Sequence, residues 1–250
     1  MQALLAAIAE KRRALDALRP LAAHAVAALD HLYDLELTWS SNAIEGNTLT
    51  VAETQLVIEM GITIAGKPLR DHLEALDHFD ALHWVRGMAA RSGAITEADL
   101  RDLHRLVMQR SQPDAAGRYA DQGRFVLTDA GRHAFPLPAL IPGLMGDFTA
   151  WLAAAPSAPL TAIEAHRRLV DIHPFNDGNG RTARLLMNLL LLRGGYPPVA
   201  IRPDERPAYI AALQAHQAGA GDTAFNALLL TRLDASLAAY LDALRQAVPR

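Results

Sequence analysis

The sequence predicts an all-α fold, a helical bundle interrupted by a single β-hairpin. Apolar residues recur at helical spacing over most of the chain. Several of these runs begin with helix-capping signals, and one short stretch has the composition of strands and turns instead. With 250 residues, of which 51% are hydrophobic, the chain can bury a sizeable core. We expect one large domain, or a core with a smaller appendage.

The helical runs follow one another with short interruptions. The apolar periodicity predicts helices at about residues 2–17, 21–45, 51–60, 69–90, 97–110, 138–154, 161–172, 180–193, 204–218 and 223–246. Thr96 with Asp99, and Thr161 with Glu164, have the spacing of capping boxes, so we expect helices to begin at both threonines. The run after residue 180 is apolar on nearly every side, which predicts a helix at the centre of the bundle.

The segment from Gly117 to Pro136 is the exception to the helical pattern. Residues 124–128, Arg-Phe-Val-Leu-Thr, are typical of a strand. Asp129-Ala-Gly131 is typical of a turn, and prolines close the segment. We therefore expect one exposed hairpin among the helices.

Composition narrows the classes of binding partner and of functional site that the chain could have. A formal net charge of -3 argues against nucleic acid, because binding to phosphate backbones needs a basic excess. The absence of cysteine excludes disulfides, thiolate zinc sites and cysteine nucleophiles. The first residues do not have the order of a secretory signal, and the longest apolar stretch is too short for a membrane span. We expect a cytoplasmic protein without a membrane partner; abundant arginine and alanine indicate a bacterial source.

The loop His173-Pro-Phe-Asn-Asp-Gly-Asn-Gly-Arg-Thr-Ala-Arg184 runs directly into the apolar helix. Gly178 and Gly180 allow backbone amides to turn inward at the helix N-terminus, which makes an anion site. Arg181 and Arg184 oppose the helix dipole there, at a cost of about 0.3 to 1 kcal/mol each, so an anion should compensate them. Spaced three apart, their guanidinium groups can clamp one polyphosphate.

His173 and Asp177 lie at the same turn. A histidine accepts a proton near neutral pH, and a carboxylate is a hard oxygen ligand suited to Mg²⁺. The sequence lacks a phosphate-binding Gly-x4-Gly-Lys-Ser/Thr loop, a His-Glu-x-x-His zinc helix and a Gly-x-Ser-x-Gly elbow. The loop thus predicts a base, a metal ligand and a phosphate site together; the alternative is a buried structural histidine followed by an ordinary helix entry.

This loop resembles, at every defined position, the active-site motif of the Fic (Fido) family, HPFx(D/E)GNGRxxR. The similarity extends from about Ser40 to Phe225. It implies a Fic-type helical bundle with the hairpin as a flap beside the active-site loop. It also implies three regions: an N-terminal helical region at 1–95, a catalytic core at 96–222 and a C-terminal helix at 223–250.

The resemblance further implies AMP transfer from ATP to a Ser, Thr or Tyr hydroxyl of a target protein, with release of pyrophosphate. His173 would deprotonate the hydroxyl, and Asp177 would hold Mg²⁺. The nucleotide would be bound by Gly178, Asn179, Gly180, Arg181, Arg184 and Tyr209. The target protein would dock by strand pairing on the flap residues Arg124, Phe125, Val126, Leu127 and Thr128. A homodimer is compatible with this scheme.

Ser41-Asn-Ala-Ile-Glu45-Gly46 ends a predicted helix, with Gly46 at the position of a C-terminal cap. Glu45 then lies at the negative end of its helix, and pairing with Arg184 would relieve both misplaced charges. The segment resembles the family's (S/T)xxxE(G/N) inhibitory motif, which implies a class II-like autoinhibition by Ser41 and Glu45. Two alternatives stay open: a hydrolase that removes AMP from a modified protein, and a non-catalytic nucleotide-sensing module.

Overall fold

The computed structural model describes residues 1–19, 23–128 and 131–247, and it confirms the predicted fold class. These ranges form ten α-helices and a two-stranded antiparallel sheet. Helices α1 to α10 span, in order, Gln2–Ala17, Ala23–Ile44, Val51–Met60, Leu69–Ala89, Glu97–Met108, Ile141–Ala154, Pro159–Ile172, Asn179–Arg193, Arg206–Gln217 and Thr223–Ala247. Short 3-10 helices at Pro138–Leu140 and Pro203–Glu205 precede α6 and α9. Residues 21 and 22 of the second predicted helix, and residues 248–250, lie outside the described ranges.

Helix starts follow the local capping chemistry. At α5, the Asp99 amide donates to Thr96 Oγ1 at 3.1 Å, and the Thr96 amide donates to Asp99 Oδ2 at 2.8 Å, which confirms that capping box. The expected start at Thr161 is wrong. Helix α7 begins at Pro159, with Ala158 as its N-cap. Proline has no amide hydrogen to lose and its fixed φ suits the first helical position, so the helix starts two residues earlier.

Helix α8 lies at the centre of the bundle, as the sequence predicts. Eleven of its 15 residues are buried, and it packs against α7, α4 and α5. One hydrophobic core includes residues from Ile8 in α1 to Leu244 in α10. All three predicted regions contribute to this core, and their boundaries stay predictions.

The hairpin consists of β1, Phe125–Thr128, and β2, Gly131–Ala134. Its register pairs Phe125 with Ala134 and Thr128 with Gly131. Residues 129 and 130 of the predicted turn lie outside the described ranges. Just before the hairpin, the Ala120 amide donates to the Pro174 carbonyl at 2.9 Å, which fixes this segment beside the loop between α7 and α8.

No helix within the described ranges is both long enough and apolar enough to cross a membrane.

Candidate active site

The loop between α7 and α8 begins with a strained residue. His173 ends α7 in the left-handed region, with φ 50° and ψ 56°, and its amide donates to the Leu169 carbonyl at 2.9 Å. It is the one non-glycine residue with positive φ in the described part of the chain. Such a conformation costs of the order of 1 to 3 kcal/mol and is often found at functional sites.

The imidazole of His173 is hydrogen-bonded through one nitrogen, and the residue lines a pocket. Its Nδ1 lies 3.2 Å from the Val170 carbonyl, which can only accept, so Nδ1 carries the proton. The ring stacks on Phe135 at a centroid distance of 3.8 Å. Burial lowers the pKa of His173 to about 4, despite the hydrogen bond to Val170. At neutral pH the ring is uncharged, and Nε2 is the nitrogen that can accept a proton.

Two side chains fix the rest of the loop. The Asn179 carboxamide accepts from the Phe175 amide at 2.9 Å and donates to the Phe175 carbonyl at 2.8 Å. This side chain, predicted to bind the nucleotide, is therefore engaged with the loop itself, which leaves its backbone amide for a ligand.

His104, on α5, is the second of these side chains and was missed by the sequence analysis. The Gly117 amide donates to its Nδ1 at 3.0 Å, so Nε2 carries the proton and donates to the Asp177 carbonyl at 3.0 Å. Its ring stacks on Phe175 at 3.6 Å. A lone histidine on the buried face of a helix has no motif around it, so sequence offers no signal of this role.

The N-terminus of α8 presents free amides. The first helical hydrogen bond runs from the Thr182 amide to the Gly178 carbonyl at 3.0 Å, so the three preceding amides have no partner within the helix. Gly178 has φ 73°, and a Cβ there would lie 2.7 Å from the Met108 sulfur. Conformation and packing both require glycine at the start of this anion site.

Asp177 lies half-buried at the edge of the site. Gln112 donates to its Oδ2 at 2.5 Å, Arg70 donates to the same oxygen at 3.2 Å, and the Gly178 amide donates to Oδ1 at 2.6 Å. Burial alone would raise the pKa of Asp177, but Arg181 and the Gly178 amide outweigh it and hold the pKa below its ordinary value. The carboxylate is thus ionised and suited to a hard cation.

Arg181 is buried with 1% of its surface exposed. Its Nη1 lies 3.3 Å from Glu74 Oε1, and its Nη2 lies 3.8 Å from Asp177 Oδ1. Its Nε and Nη1 have no hydrogen-bond partner among the described residues. Unsatisfied buried donors on a charged group are costly, so this guanidinium is suited to an anionic ligand.

Arg184 is paired with the predicted inhibitory segment. Its Nη2 donates to Glu45 Oε1 at 2.7 Å and to the Ser41 carbonyl at 2.9 Å, and its Nε donates to Ser41 Oγ at 2.9 Å. Burial would lower the pKa of Arg184, but the Glu45 carboxylate outweighs this effect and raises it. The structure therefore brings together the residues that the sequence predicted to pair.

Gly180 shows where the Glu45 carboxylate lies. A Cβ on Gly180 would be 2.5 Å from Glu45 Oε1. The carboxylate thus packs directly on the first turn of α8, at the end that favours anions. It occupies part of the site in which the sequence predicts phosphate.

A pocket of about 210 Å³ opens in front of these groups. The predicted site residues that line it are Glu45, Val126, His173, Gly180, Arg184 and Tyr209. The Tyr209 hydroxyl lies 2.9 Å from His166 Nε2, and the side chain is buried. Gln214 and Gln217 also line the pocket and were missed, because glutamines on a helix resemble solvated residues.

The hairpin lies beside the pocket, and the predicted flap residues differ in what they contact. Phe125 and Leu127 are exposed by 49% and 76%, Val126 lines the pocket, and Thr128 donates to the Gly131 carbonyl at 2.8 Å. Arg124 donates to the His173 carbonyl, and to the Pro136 carbonyl at 2.8 Å. Its side chain therefore ties the hairpin to the loop and is not free for a target.

Comparison with known proteins agrees with this geometry. The family model described as Fic/DOC family matches residues 94–191. A protein adenylyltransferase Fic from Nematostella vectensis is 41% identical over 189 residues, which are 74% of this chain and 43% of that protein. The protein of the same name from Drosophila grimshawi is 37% identical over 82% of this chain and 42% of its own length. The chain thus spans about two fifths of the length of these curated relatives.

Solved structures extend the likeness over nearly the whole chain. A Fic domain containing signaling protein from Bacteroides thetaiotaomicron superposes with a TM-score of 0.88 at 27% identity, over 97% of each chain. A variant of residues 134–508 of Fic-1 from C. elegans has a TM-score of 0.84 at 30% identity, over 97% of this chain and 72% of that one. These relatives include animals and a bacterium, so the expected bacterial source stays a prediction. The shared loop, the shared bundle and these identities show that the chain belongs to the Fic/DOC family.

Proposed function

We propose that this chain transfers AMP from Mg-ATP to a hydroxyl of a target protein. One observation carries the proposal: the uncharged His173 lines the same pocket as Gly180, in the first turn of α8, and Arg184. A base and a phosphate site in one pocket suit transfer of a phosphate-linked group. The names of the curated relatives, protein adenylyltransferase, support AMP as that group.

The placement of these groups supports the following reaction. His173 Nε2 takes the proton of the target hydroxyl, and the oxygen attacks the α-phosphorus of ATP. A new phosphoester bond forms, the bond from the α-phosphorus to the bridging oxygen breaks, and pyrophosphate leaves with that electron pair. A positioned base contributes roughly 10² to 10⁴ in rate, and the amides and arginines stabilise the charge that develops.

Asp177 is the residue that would hold the magnesium ion. No group of three or more acidic or histidine side chains that could hold a metal forms among the described residues. Mg²⁺ is usually bound through one or two carboxylates together with substrate phosphates, and we propose that arrangement here. The ion would neutralise charge on those phosphates. Gln112 and Arg70 orient the carboxylate by donating to its Oδ2.

We also propose that Glu45 inhibits this reaction. Its carboxylate pairs with Arg184 and packs on Gly180, where the terminal phosphate of ATP would need the same guanidinium and the same helix end. ATP would then have to displace Glu45 to bind productively.

The target is proposed to be a protein of the cytoplasm that docks on the hairpin. The exposed edge of β1, with Phe125 and Leu127, suits an added strand of the target. We propose neither a nucleic acid nor a membrane as a partner, and we leave a homodimer as the oligomeric hypothesis.

Hydrolysis of AMP-modified protein is the second candidate, and one observation favours it. Glu45 uses Oε1 for Arg184 and keeps 38% of its side chain exposed, in the pocket that also contains His173. Its other oxygen could align a water for attack on a phosphodiester. Both activities would use the same base.

Labelling with two forms of ATP tests the proposal. Wild type, Glu45→Gly, His173→Ala and the double variant would be incubated with a lysate and with ATP labelled at the α- or the γ-phosphate. We expect strong α-label incorporation with Glu45→Gly, weak incorporation with wild type and none with either His173 variant. Mass spectrometry should find a gain of one adenylate on a defined hydroxyl side chain.

The other outcomes identify the alternatives. Incorporation of γ-label would mean phosphate transfer and would refute AMP transfer. Release of AMP from a modified protein by wild type, without incorporation by Glu45→Gly, would support the hydrolase. Binding of Mg-ATP with neither incorporation nor release would make the chain a nucleotide-sensing module.

A further inference from the structure

Arg206 joins two parts of the site that the sequence did not connect. It is the first residue of α9, and its Nε donates to the carbonyl of Ile44 at 2.6 Å. Ile44 is the last residue of α2, and Glu45 follows it directly. Arg206 also lines the pocket that contains Glu45 and His173.

The Ile44 carbonyl needs a partner from outside its helix. The last carbonyls of a helix have no partner within it. At the end of α2, the Asn47 amide donates to the Asn42 carbonyl and the Gly46 amide donates to the Ala43 carbonyl, at 3.1 Å each. These two bonds, with Gly46 at φ 97°, form a Schellman motif. It does not reach the Ile44 carbonyl, and the Arg206 guanidinium binds there at the end of the helix that favours cations.

The start of α9, on the other side of this contact, is tied to α10. Glu205 directly precedes Arg206. Its carboxylate accepts a hydrogen bond from the Arg202 amide at 2.9 Å and lies 3.3 Å from Arg232 Nε of α10. Helix α9 then continues to the buried Tyr209. The exposed Arg206 thus links α9 to the last turn of α2, and so to the backbone that carries Glu45.

We propose that Arg206 is a positioning residue for the inhibitory glutamate: by holding the Ile44 carbonyl, it keeps the Glu45 carboxylate on Arg184 and Gly180. This inference rests on the proposed inhibition by Glu45. It assigns Arg206 no contact with ATP, so its loss should weaken inhibition and leave nucleotide binding unchanged once Glu45 is gone.

The test measures α-label incorporation by Arg206→Ala, Arg206→Lys and a matched control, Arg245→Ala. Arg245 lies on α10 with 60% of its side chain exposed and contacts Asp242. We expect Arg206→Ala to raise incorporation about threefold, less than Glu45→Gly does, because Arg206 acts only through Glu45. Arg206→Lys should stay near wild type, because an ammonium also donates to a carbonyl, and the control should not change. A substitution that only damaged the fold would lower incorporation. A rise in incorporation therefore distinguishes loss of inhibition from damage to the fold.

The double variant separates positioning from ligand binding. Glu45→Gly with Arg206→Ala should label as well as Glu45→Gly alone and should bind ATP with the same affinity. Weaker ATP binding by the double variant would show Arg206 to be a nucleotide ligand and would overturn the inference, as would a single Arg206→Ala variant no more active than wild type.

Hydrogen exchange gives a readout that does not depend on catalysis. Without nucleotide, the amides of Gly46 and Asn47 should exchange about tenfold faster in Arg206→Ala and at the wild-type rate in Arg245→Ala. Unchanged exchange would overturn the positioning role even if the enzyme is active. Conversely, exchange could be faster in Arg206→Ala while the Glu45→Gly variant never labels a target. That pair of results would refute the proposed function but would still support the contact between Arg206 and Ile44.

Discussion

Replacement of Glu45 by alanine should have opposite effects on the stability of the free protein and on ATP binding. A hydrogen bond to a charged group contributes about 1.5 to 3 kcal/mol. The Glu45 side chain is 38% exposed, and Arg184 retains both of its bonds to Ser41. We therefore discount the loss for solvent screening to about 1 kcal/mol. For a domain of this size, that lowers the melting temperature by about 2 to 4 °C.

The same interaction acts against ATP in the wild type. A phosphate that binds Arg184 must first separate it from Glu45, so removal of the carboxylate returns about 1 kcal/mol to binding. ATP should then bind about fivefold more tightly, since one kcal/mol changes an equilibrium constant by about that factor. Saturating Mg-ATP should consequently raise the melting temperature more in the alanine variant than in wild type.

Calorimetry and thermal unfolding measure both effects. The titrations would use a His173→Ala background, so that no turnover consumes ATP, and Glu45→Gln would serve as the matched control. Glutamine keeps the oxygen that faces Arg184 without its charge, so it should fall between wild type and alanine in both assays. The reasoning is refuted if Glu45→Ala leaves the stability of the free protein and its affinity for ATP unchanged.

Three further predictions concern the loop. In the Glu45→Gly background, kcat/KM should stay constant as the pH falls from 8 through 6.5 and should decline only toward pH 4. The reason is that burial lowers the pKa of His173 to about 4, and only the unprotonated ring accepts a proton. Labelling rates measured across this pH range test the expectation. His104→Ala should lower the free energy of unfolding by about 3 kcal/mol in urea titrations, because it leaves two buried backbone groups unpaired. Gly178→Ala should cost more than Gly219→Ala in the same titrations, because both have positive φ but only the first Cβ would meet Met108, at 2.7 Å.

A different result would contradict each of these three predictions. A decline centred near pH 6.5 would mean that His173 titrates as it would in water. A wild-type unfolding free energy for His104→Ala would show that the loop does not depend on that histidine. Equal costs at the two glycines would assign the whole penalty at Gly178 to backbone conformation, with no contribution from packing.

The fold was predictable because its signals are local. Helical periodicity located each helix, and Thr96 with Asp99 marked the start of α5 through a bond between neighbours in sequence. The start of α7 was misplaced at Thr161 because two local signals competed there. A proline two residues earlier has the geometry of a first helical residue, and it determined the start.

The contact between Glu45 and Arg184 was predictable because both charges are conspicuous along the chain. Arg184 in the first turns of one helix and Glu45 at the end of another are each unfavourable alone, and their pairing follows from that. His104 and Arg206 gave no such signal. Each acts through a bond to a backbone carbonyl more than seventy positions away, at Asp177 and Ile44 respectively, and only the folded chain brings them together.

Gly180 restricts how constitutive activity could arise in this protein. Because a single missing side chain makes room for the Glu45 carboxylate, and on the proposed function for phosphate as well, any larger residue there would exclude inhibitor and substrate together. Substitution of Gly180 thus offers no route to an uninhibited enzyme. A change on α2, or in the contacts that hold its last turn, would act on the inhibitor alone.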